Sequence, residues 1–184
     1  MINHIGTIPL ETERLILRKA SKADYDNIFN DLLSDKEASD KAGWKYFNNK
    51  EEMIESFETV DIAKNIYSWT IFLKNSNTPV GSIGVHSQED DMLSCAIGYS
   101  IHNKYCNNGY ATESLKVVLP FLLNQVGYNR IFAKYRGNNI ASKRVLEKCK
   151  MVFEGTERQS YYNNGQFVDR HIYSILKEDL KEYT

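Results

Sequence analysis

The 184-residue chain is 42% hydrophobic and 26% charged, with 23 Lys and Arg against 24 Asp and Glu and a formal charge of −1. These are the proportions of one soluble globular domain; they lack the basic excess with which nucleic-acid-binding domains grip polyanions and the acidity of a disordered tail. A chain this long buries about 70% of its unfolded surface and needs neither disulfides nor a metal to build a core.

The longest apolar stretch, Val117 to Leu123, is seven residues and contains Pro120, far short of the roughly 20 that cross a bilayer. No basic residue precedes Arg14 and no apolar leader follows the start, so the expectation is a cytoplasmic protein with no membrane partner. Cys95, Cys106 and Cys149 are odd in number and widely spaced, which suits reduced thiols rather than a disulfide framework or a metal site.

Along the chain, Ser21 and Asp24 read as a capping box, and Tyr25, Ile28, Phe29, Leu32 and Leu33 recur at helical spacing, predicting a first helix over about 22–34. Asn49 with Glu52 repeats the signal ahead of Met53, Phe57, Val60 and Lys64, for a second helix to about residue 64. Tyr67, Trp69, Ile71 and Leu73 then alternate with Ser68, Thr70 and Phe72, which predicts a strand with Val80 to His86 as its hairpin partner. Glu89, Asp90 and Asp91 make the next turn. In the following strand Leu93, Cys95, Ile97, Tyr99 and Ile101 form a large face, and Ser94, Ala96, Gly98 and Ser100 a small one that lets another element or a ligand come close.

A third helix is expected from Gly109 to Val126, kinked at Pro120. Arg130 to Tyr135 reads as a strand and Ile140 to Cys149 as a fourth helix. Met151 to Tyr162 and Gln166 to Leu176 read as a long hairpin turning at Asn163, Asn164 and Gly165. The sum is a single mixed α/β (α+β) domain, whose ligands bind where strand ends meet helix starts.

The order strand, Asn103 to Gly109, helix is a recipe for an anion site. A helix start offers unpaired N–H groups and about half a positive charge, and a glycine lets a phosphate approach the backbone. A polar loop with a glycine for turn geometry is the plainer alternative. A lone Gly109 makes neither the dinucleotide fingerprint nor a P-loop.

The run Cys106, Asn107, Asn108, Gly109, Tyr110, Ala111, Thr112, Glu113 resembles motif A of the GNAT superfamily of acyl-CoA-dependent N-acyltransferases. That motif reads Arg or Gln, two variable residues, Gly, one variable residue, then Gly or Ala. Asn139, Ile140, Ala141, Ser142, followed by Val145, Leu146 and Glu147, resembles the Asn-x-x-Ser helix start of the Rim-type branch, which includes ribosomal-protein N-acetyltransferases. Glu11 to Arg18, the segment Ile97, Gly98, Tyr99, and the final Asn164, Gly165, Asp169 and Tyr173 match the same branch, so the likeness runs from about 10 to 177. Departures are Cys106 for the usual Arg, Gln or aromatic residue, Asn107 for a frequent glycine, and Lys150 with Met151 where a Gly-Phe pair is common.

The resemblance implies one acyl-CoA N-acyltransferase domain over 1–184, with a mixed central sheet of about six or seven strands, a splayed parallel pair and about four helices. It implies acetyl-CoA as co-substrate, no metal, and direct attack by a primary amine. The acceptor would be a protein α-amino group, including that of a ribosomal protein, or a small amine such as a polyamine. Pantetheine would lie along Tyr99, Ser100 and Ile101, and the pyrophosphate on Cys106 to Thr112. Asn139 would orient the pantetheine arm, Ser142 would give the leaving thiolate a proton or a strong hydrogen bond, and both would contact the cofactor. Capping of the fourth helix is the structural alternative for Asn139 and Ser142. Glu113 is a candidate base, or a carboxylate placed for the helix dipole. His102 is a weaker candidate, and Asp169 with His171 read first as pairing across the hairpin. Trp44, His86 and Tyr162 are candidate acceptor-side residues. A non-catalytic CoA-binding regulatory module is the competing function, and a homodimer through the C-terminal hairpin or the exposed helices is compatible with the sequence.

Overall fold

The computed structural model describes residues 1–34, 45–60, 67–163 and 165–182. Among the described residues there are eight strands: β1 (Leu10–Glu11), β2 (Leu15–Arg18), β3 (Ser68–Leu73), β4 (Pro79–Glu89), β5 (Ser94–Ile101), β6 (Arg130–Arg136), β7 (Val152–Asn163) and β8 (Gln166–Leu176). They form one sheet in the order β1-β2-β3-β4-β5-β6-β8-β7. Besides short 3-10 turns, the described residues form four helices: α1 over 22–33, α2 (Lys50–Val60), α3 (Tyr110–Pro120, continued by Phe121–Val126) and α4 (Ile140–Lys148). The fold is the mixed α/β class expected, with one strand more than the upper expectation. β1 and β2, two and four residues long, are too short for an alternating pattern to declare them. By packing, the chain falls into two compact units, His4–Val85 with Tyr99–Val117, and Met1–Asn3 with His86–Gly98 and Val118–Thr184.

In the first unit the antiparallel pairs β1/β2, β2/β3 and β3/β4 bury Leu15, Leu17, Trp69, Ile71 and Ile83 on the alternating positions that the period-two pattern marks. The indole N–H of Trp69 donates to the Ile8 carbonyl at 2.7 Å, so the one polar atom of this buried ring is satisfied. Tyr25, Ile28, Leu32 and Leu33 of α1 and Met53 of α2 pack with Phe47 and Phe72. The Asn49 side chain caps α2 by accepting from the Glu52 N–H at 2.9 Å. At the start of α1 the capping box that the sequence suggests is present: the Ser21 N–H donates to Asp24 at 2.7 Å, and the Ser21 hydroxyl also donates to that carboxylate. Asp24 is there for Arg18, which grips it with both terminal nitrogens at 2.7 and 2.8 Å while its guanidinium lies 3.9 Å from the centre of the Phe72 ring.

Gly81 fixes how β4 meets β5. A Cβ there would stand 2.3 Å from the Ser100 carbonyl oxygen and 3.1 Å from the Ile101 Cα, so only glycine lets the end of β5 come this close.

In the second unit β5 and β6 run parallel, paired at Ser94/Arg130, Cys95/Ile131 and Ala96/Phe132. The ladder has three steps although β5 spans eight residues and β6 seven. β6 continues antiparallel to β8 over its whole length, and β8 to β7. Pro120 sits inside α3, where the expected consequence of its missing N–H is a kink. Past it the helix continues as wider turns ending with the Gly127 N–H on the Leu122 carbonyl at 3.1 Å, a spacing that accommodates the lost hydrogen bond. Helix α4 ends in a Schellman turn: Lys150 N–H bonds Glu147 O at 3.0 Å and Met151 N–H bonds Leu146 O at 3.1 Å. Lys150 holds φ +56, the left-handed conformation that glycine adopts freely, so the backbone here is the one that would suit the glycine of the Gly-Phe pair from which the sequence departs.

Arg18 holds the Asp24 carboxyl far below the usual carboxylate range, its hydrogen bonds outweighing the opposing effect of burial, with Ser21 adding to them. A carboxylate with a depressed folded pKa stabilises the fold above its unfolded pKa, about 3.9, and that stabilisation fades as pH falls toward the folded value. Asp24→Ala leaves Arg18 without its partner and is expected to cost about 3 kcal/mol at pH 7. Urea unfolding from pH 7 to pH 2 checks this: the gap between wild type and variant should narrow below about pH 4.

Candidate functional site

The segment between β5 and α3 is a chain of tight turns. His102 accepts the Lys104 N–H on its Nδ1 at 3.3 Å, which starts a short turn over Asn103–Tyr105. Cys106 is extended, Asn107 is left-handed at φ +64, and Gly109 is left-handed at φ +83. The Asn108 side chain donates to the Tyr105 and Cys106 carbonyls at 3.0 and 3.1 Å, bracing the turn from within. The first hydrogen bond of α3 is Glu113 N–H to Gly109 O at 3.0 Å, so the N–H groups of the opening turn, from Tyr110 on, have no carbonyl four residues back within the helix. Cys106 to Gly109 are all exposed. This is a tight turn with two left-handed residues leading into a helix start, the backbone arrangement that suits an anion cradle. Asn is the residue besides glycine that visits this conformation most readily, so Asn107 keeps the backbone that a glycine would give.

Cys106 is not built as a nucleophile. Its thiol faces the Ile101 and His102 carbonyl oxygens at 3.6 Å each, and burial pushes its pKa up from the ordinary value, so the neutral form dominates. Cys95 is buried, its pKa pushed up to about 12 by loss of water and by Asp90.

Glu113, in the first turn of α3, is fully engaged. Its Oε1 accepts from the Thr12 hydroxyl at 2.5 Å and the Arg14 N–H at 3.1 Å. Its Oε2 takes Arg14 Nε at 2.8 Å and Nη2 at 2.6 Å. Burial pushes the carboxyl up, but the Thr12 and Arg14 bonds outweigh it and the net shift is downward. Of the two readings open from the sequence, these contacts match the structural one: a carboxylate this well bonded, with a lowered pKa, is a poor proton acceptor. Thr12 and Arg14 join the loop here without any local sequence signal, since they lie about a hundred residues away in the chain.

The pantetheine candidates Tyr99, Ser100 and Ile101 are half-buried at the end of β5. On the same strand, Gly98 has a neighbour that the sequence did not suggest. A Cβ there would meet the His86 ring at 3.2 Å from Nδ1, so in this structure the bare backbone of Gly98 accommodates an imidazole. His86 remains exposed in part, yet loss of water around the ring lowers its pKa.

At the start of α4 the Asn139 side-chain oxygen accepts the Ser142 N–H at 3.1 Å, the capping role open from sequence. Asp169 accepts the Gln159 N–H at 2.8 Å, and His171 Nδ1 shares a 2.7 Å bond with the Thr156 hydroxyl. Both are the cross-hairpin pairing expected of them. Tyr162 is 62% exposed on β7, its ring 4.8 Å from that of its cross-strand partner Phe167. Trp44 lies outside the described residues. Among the described residues no group of three or more His, Cys, Asp or Glu could hold a metal ion, and no helix is long and apolar enough to cross a membrane.

Residues 14–152 match the model of the acetyltransferase (GNAT) domain. The chain belongs to the GNAT family. This GNAT chain is 33% identical over 171 residues to the uncharacterized N-acetyltransferase YoaA of Bacillus subtilis (strain 168), covering 91% of this chain and 96% of the relative. Among solved structures, it superposes on a GNAT-family acetyltransferase from Bacillus anthracis with a TM-score of 0.78 at 25% identity, covering 93% and 99% of the two chains. It also superposes on RimL, a ribosomal L7/L12 alpha-N-protein acetyltransferase in complex with coenzyme A, with a TM-score of 0.80 at 20% identity and 92% and 98% coverage. The last is a likeness of fold, in keeping with the Rim-type resemblance of the sequence. As a GNAT protein with N-acetyltransferase relatives along most of its length, the chain is an acetyltransferase.

The left-handed turn at Asn107 gives a test of the cradle. Asn107→Gly should leave stability within about 0.5 kcal/mol, whereas Asn107→Val should cost about 1–2 kcal/mol because a β-branched residue resists φ +64. Urea unfolding of the two variants side by side is the measurement.

Proposed function

We propose that the protein transfers the acetyl group of acetyl-CoA to a primary amine, as one acyl-CoA N-acyltransferase domain over 1–184 acting in the cytoplasm. The observation that supports this most is the backbone cradle at the start of α3, with Gly109 at φ +83, on a chain whose family transfers acetyl groups. The residues present fit the donor. Asn107, Asn108, Gly109, Tyr110, Ala111 and Thr112 supply N–H groups for a pyrophosphate, while Cys106 adds no charge and no bulk beyond its thiol. Tyr99, Ser100 and Ile101 supply strand-edge hydrogen bonds to the amide arm.

In the reaction the amine lone pair attacks the thioester carbonyl, a C–N bond forms, and the C–S bond breaks. A strand N–H near Tyr99 or Ser100 stabilises the developing oxyanion, a contribution of about 3 kcal/mol where such donors are preorganised. The Ser142 hydroxyl donates a hydrogen bond to the departing thiolate, which takes up a proton from solvent, and Asn139, which already caps α4 beneath it, holds the helix start in place. The amine proton passes to water or a weak base, which suffices for a group whose pKa is about 8 to 10. Glu113 is kept out of this chemistry by its four bonds. His86, whose pKa is lowered by loss of water around the ring, serves the acceptor side with Tyr162. A peptide α-amino group and a small amine both suit this chemistry; a ribosomal-protein terminus is the acceptor that the Rim-type resemblance favours. The non-catalytic reading rested on Cys106 and Asn107, and Asn107 retains the turn that a glycine would make.

The deciding experiment follows thiol release from acetyl-CoA across a panel of peptides with free N-termini, including ribosomal-protein termini, and polyamines, alongside thermal shift with acetyl-CoA. Stabilisation with turnover on at least one amine is expected; stabilisation without turnover on any would favour the regulatory module, and no stabilisation would remove both. On the best acceptor, Ser142→Ala should lower kcat at least tenfold with the acetyl-CoA KM within about twofold. Gly109→Ala should raise the acetyl-CoA Kd severalfold, and an unchanged Kd would place the phosphates elsewhere.

A further inference from the structure

The cradle is built from backbone, yet one guanidinium stands beside it. Arg14 in the β1–β2 turn reaches the start of α3, where its Nη2 lies 3.6 Å from the position a Cβ would take on Gly109. Its Cζ lies 4.9 Å from the centre of the Tyr110 ring. Two of its nitrogens, Nε and Nη2, are held by Glu113, which fixes the plane of the fork. A guanidinium has five N–H donors, so this pair leaves Nη1 and the second hydrogen of Nη2 for another acceptor. The side chain is 48% exposed, against 17% for Glu113. The cation is therefore open to solvent next to Gly109 while its counter-ion is turned inward.

A surface ion pair built for stability alone gains little, about 0–1 kcal/mol. This one has a second consequence, because a carboxylate in the first turn of α3 repels any anion that the helix start would attract. Arg14 cancels that charge and presents its own donors on the side of the turn where Gly109 removes the Cβ. Lys104, also exposed, has its ammonium 5.4 Å from the Tyr105 ring centre, and no ion pair of it with an acid of α3 is seen among the described residues.

We propose that Arg14 is a donor-binding residue, whose guanidinium, oriented over Gly109 by Glu113, hydrogen-bonds the phosphate groups at the nucleotide end of coenzyme A. The inference rests on the acetyl-CoA reading above and adds a cation to a cradle that the sequence presents as backbone alone. Glu113 then has a defined part as the positioning residue for Arg14.

Titration calorimetry with coenzyme A and with pantetheine, which keeps the thiol arm but carries no phosphate, separates the possibilities. For Arg14→Met the Kd of coenzyme A should rise about tenfold, its dependence on added salt should flatten, and the Kd of pantetheine should stay within twofold. The double variant Arg14→Gln with Glu113→Gln leaves no unpaired charge at the turn and guards against misfolding of the single variant; it too should bind coenzyme A about tenfold more weakly. An unchanged Kd for coenzyme A in Arg14→Met overturns the inference, as does equal weakening of pantetheine, which would make Arg14 a tether only. Wild-type affinity in the double variant would also overturn it, since Arg14 would then serve only to neutralise Glu113. Wild-type protein that binds no coenzyme A would instead remove the donor reading itself.

Discussion

The start of α3 depends on one carboxylate. Glu113 accepts from the Thr12 hydroxyl, the Arg14 N–H and the Arg14 guanidinium, so the first turn of the helix and the β1–β2 turn are bound to each other. Charge-assisted hydrogen bonds of this kind are about twice as strong as neutral ones, and the convergence of Arg14 Nε and Nη2 on the one oxygen Oε2 fixes orientation as well as distance. Without that tether the opening turn of α3 would have only its own frayed hydrogen bonds to hold it. An anion site made of backbone N–H groups functions only if those groups already point the same way, so the carboxylate would serve the proposed site by immobilising it.

The loop ahead of that turn shows which property of a residue the fold demands. Asn107 and Lys150 are two of the positions at which this sequence departs from the family pattern, and both have left-handed backbone, at φ +64 and +56. At both positions the backbone takes the conformation that glycine adopts most cheaply, although neither residue is glycine. An L-residue pays about 1–2 kcal/mol in this region, which the Schellman bonds and the burial of Met151 against Leu146 offset at Lys150. At Asn107 the cost is lower, and the Asn108 side chain braces the turn beside it. A departure in residue type is therefore not a departure in site geometry.

The same distinction explains what could be read from the chain. The helices and the long strands were legible because each buries one face at a fixed period, as in Tyr25, Ile28 and Leu32 or Trp69 and Ile71. The caps at Asn49 and Asn139 were legible because they act over three residues. β1 and β2 carry too few residues for a period, and the widened turns after Pro120 follow from how the helix absorbs a missing donor, which no local pattern encodes. Trp69 read as a strand residue, but its bond to the Ile8 carbonyl lies 61 residues away. Arg14 is the extreme case: its partner is 99 residues distant, so the sequence showed a basic residue in an opening segment and nothing of the loop it faces. Likewise the small residue at Gly98 was legible as a place of close approach, but not that the neighbour is the His86 ring.

A net charge of −1 argued at the outset against a polyanionic partner, while the proposed donor carries several phosphate charges. The structure reconciles the two through scale. Most of the lysines and arginines whose contacts are described are spent locally, as in Arg18 with Asp24, Arg130 with Glu154 and Lys134 with Glu157, and such pairs cancel within a few ångströms. A long polyanion needs a field that extends over a surface, which paired charges do not supply. A single pyrophosphate needs only a few oriented donors within about 3 Å, and in the proposed site these are peptide N–H groups at a helix start, whose half-charge does not enter the count of ionised side chains, with the Arg14 guanidinium beside them. Net charge thus bounds the size of the anion this protein can recognise, and says nothing against a small one.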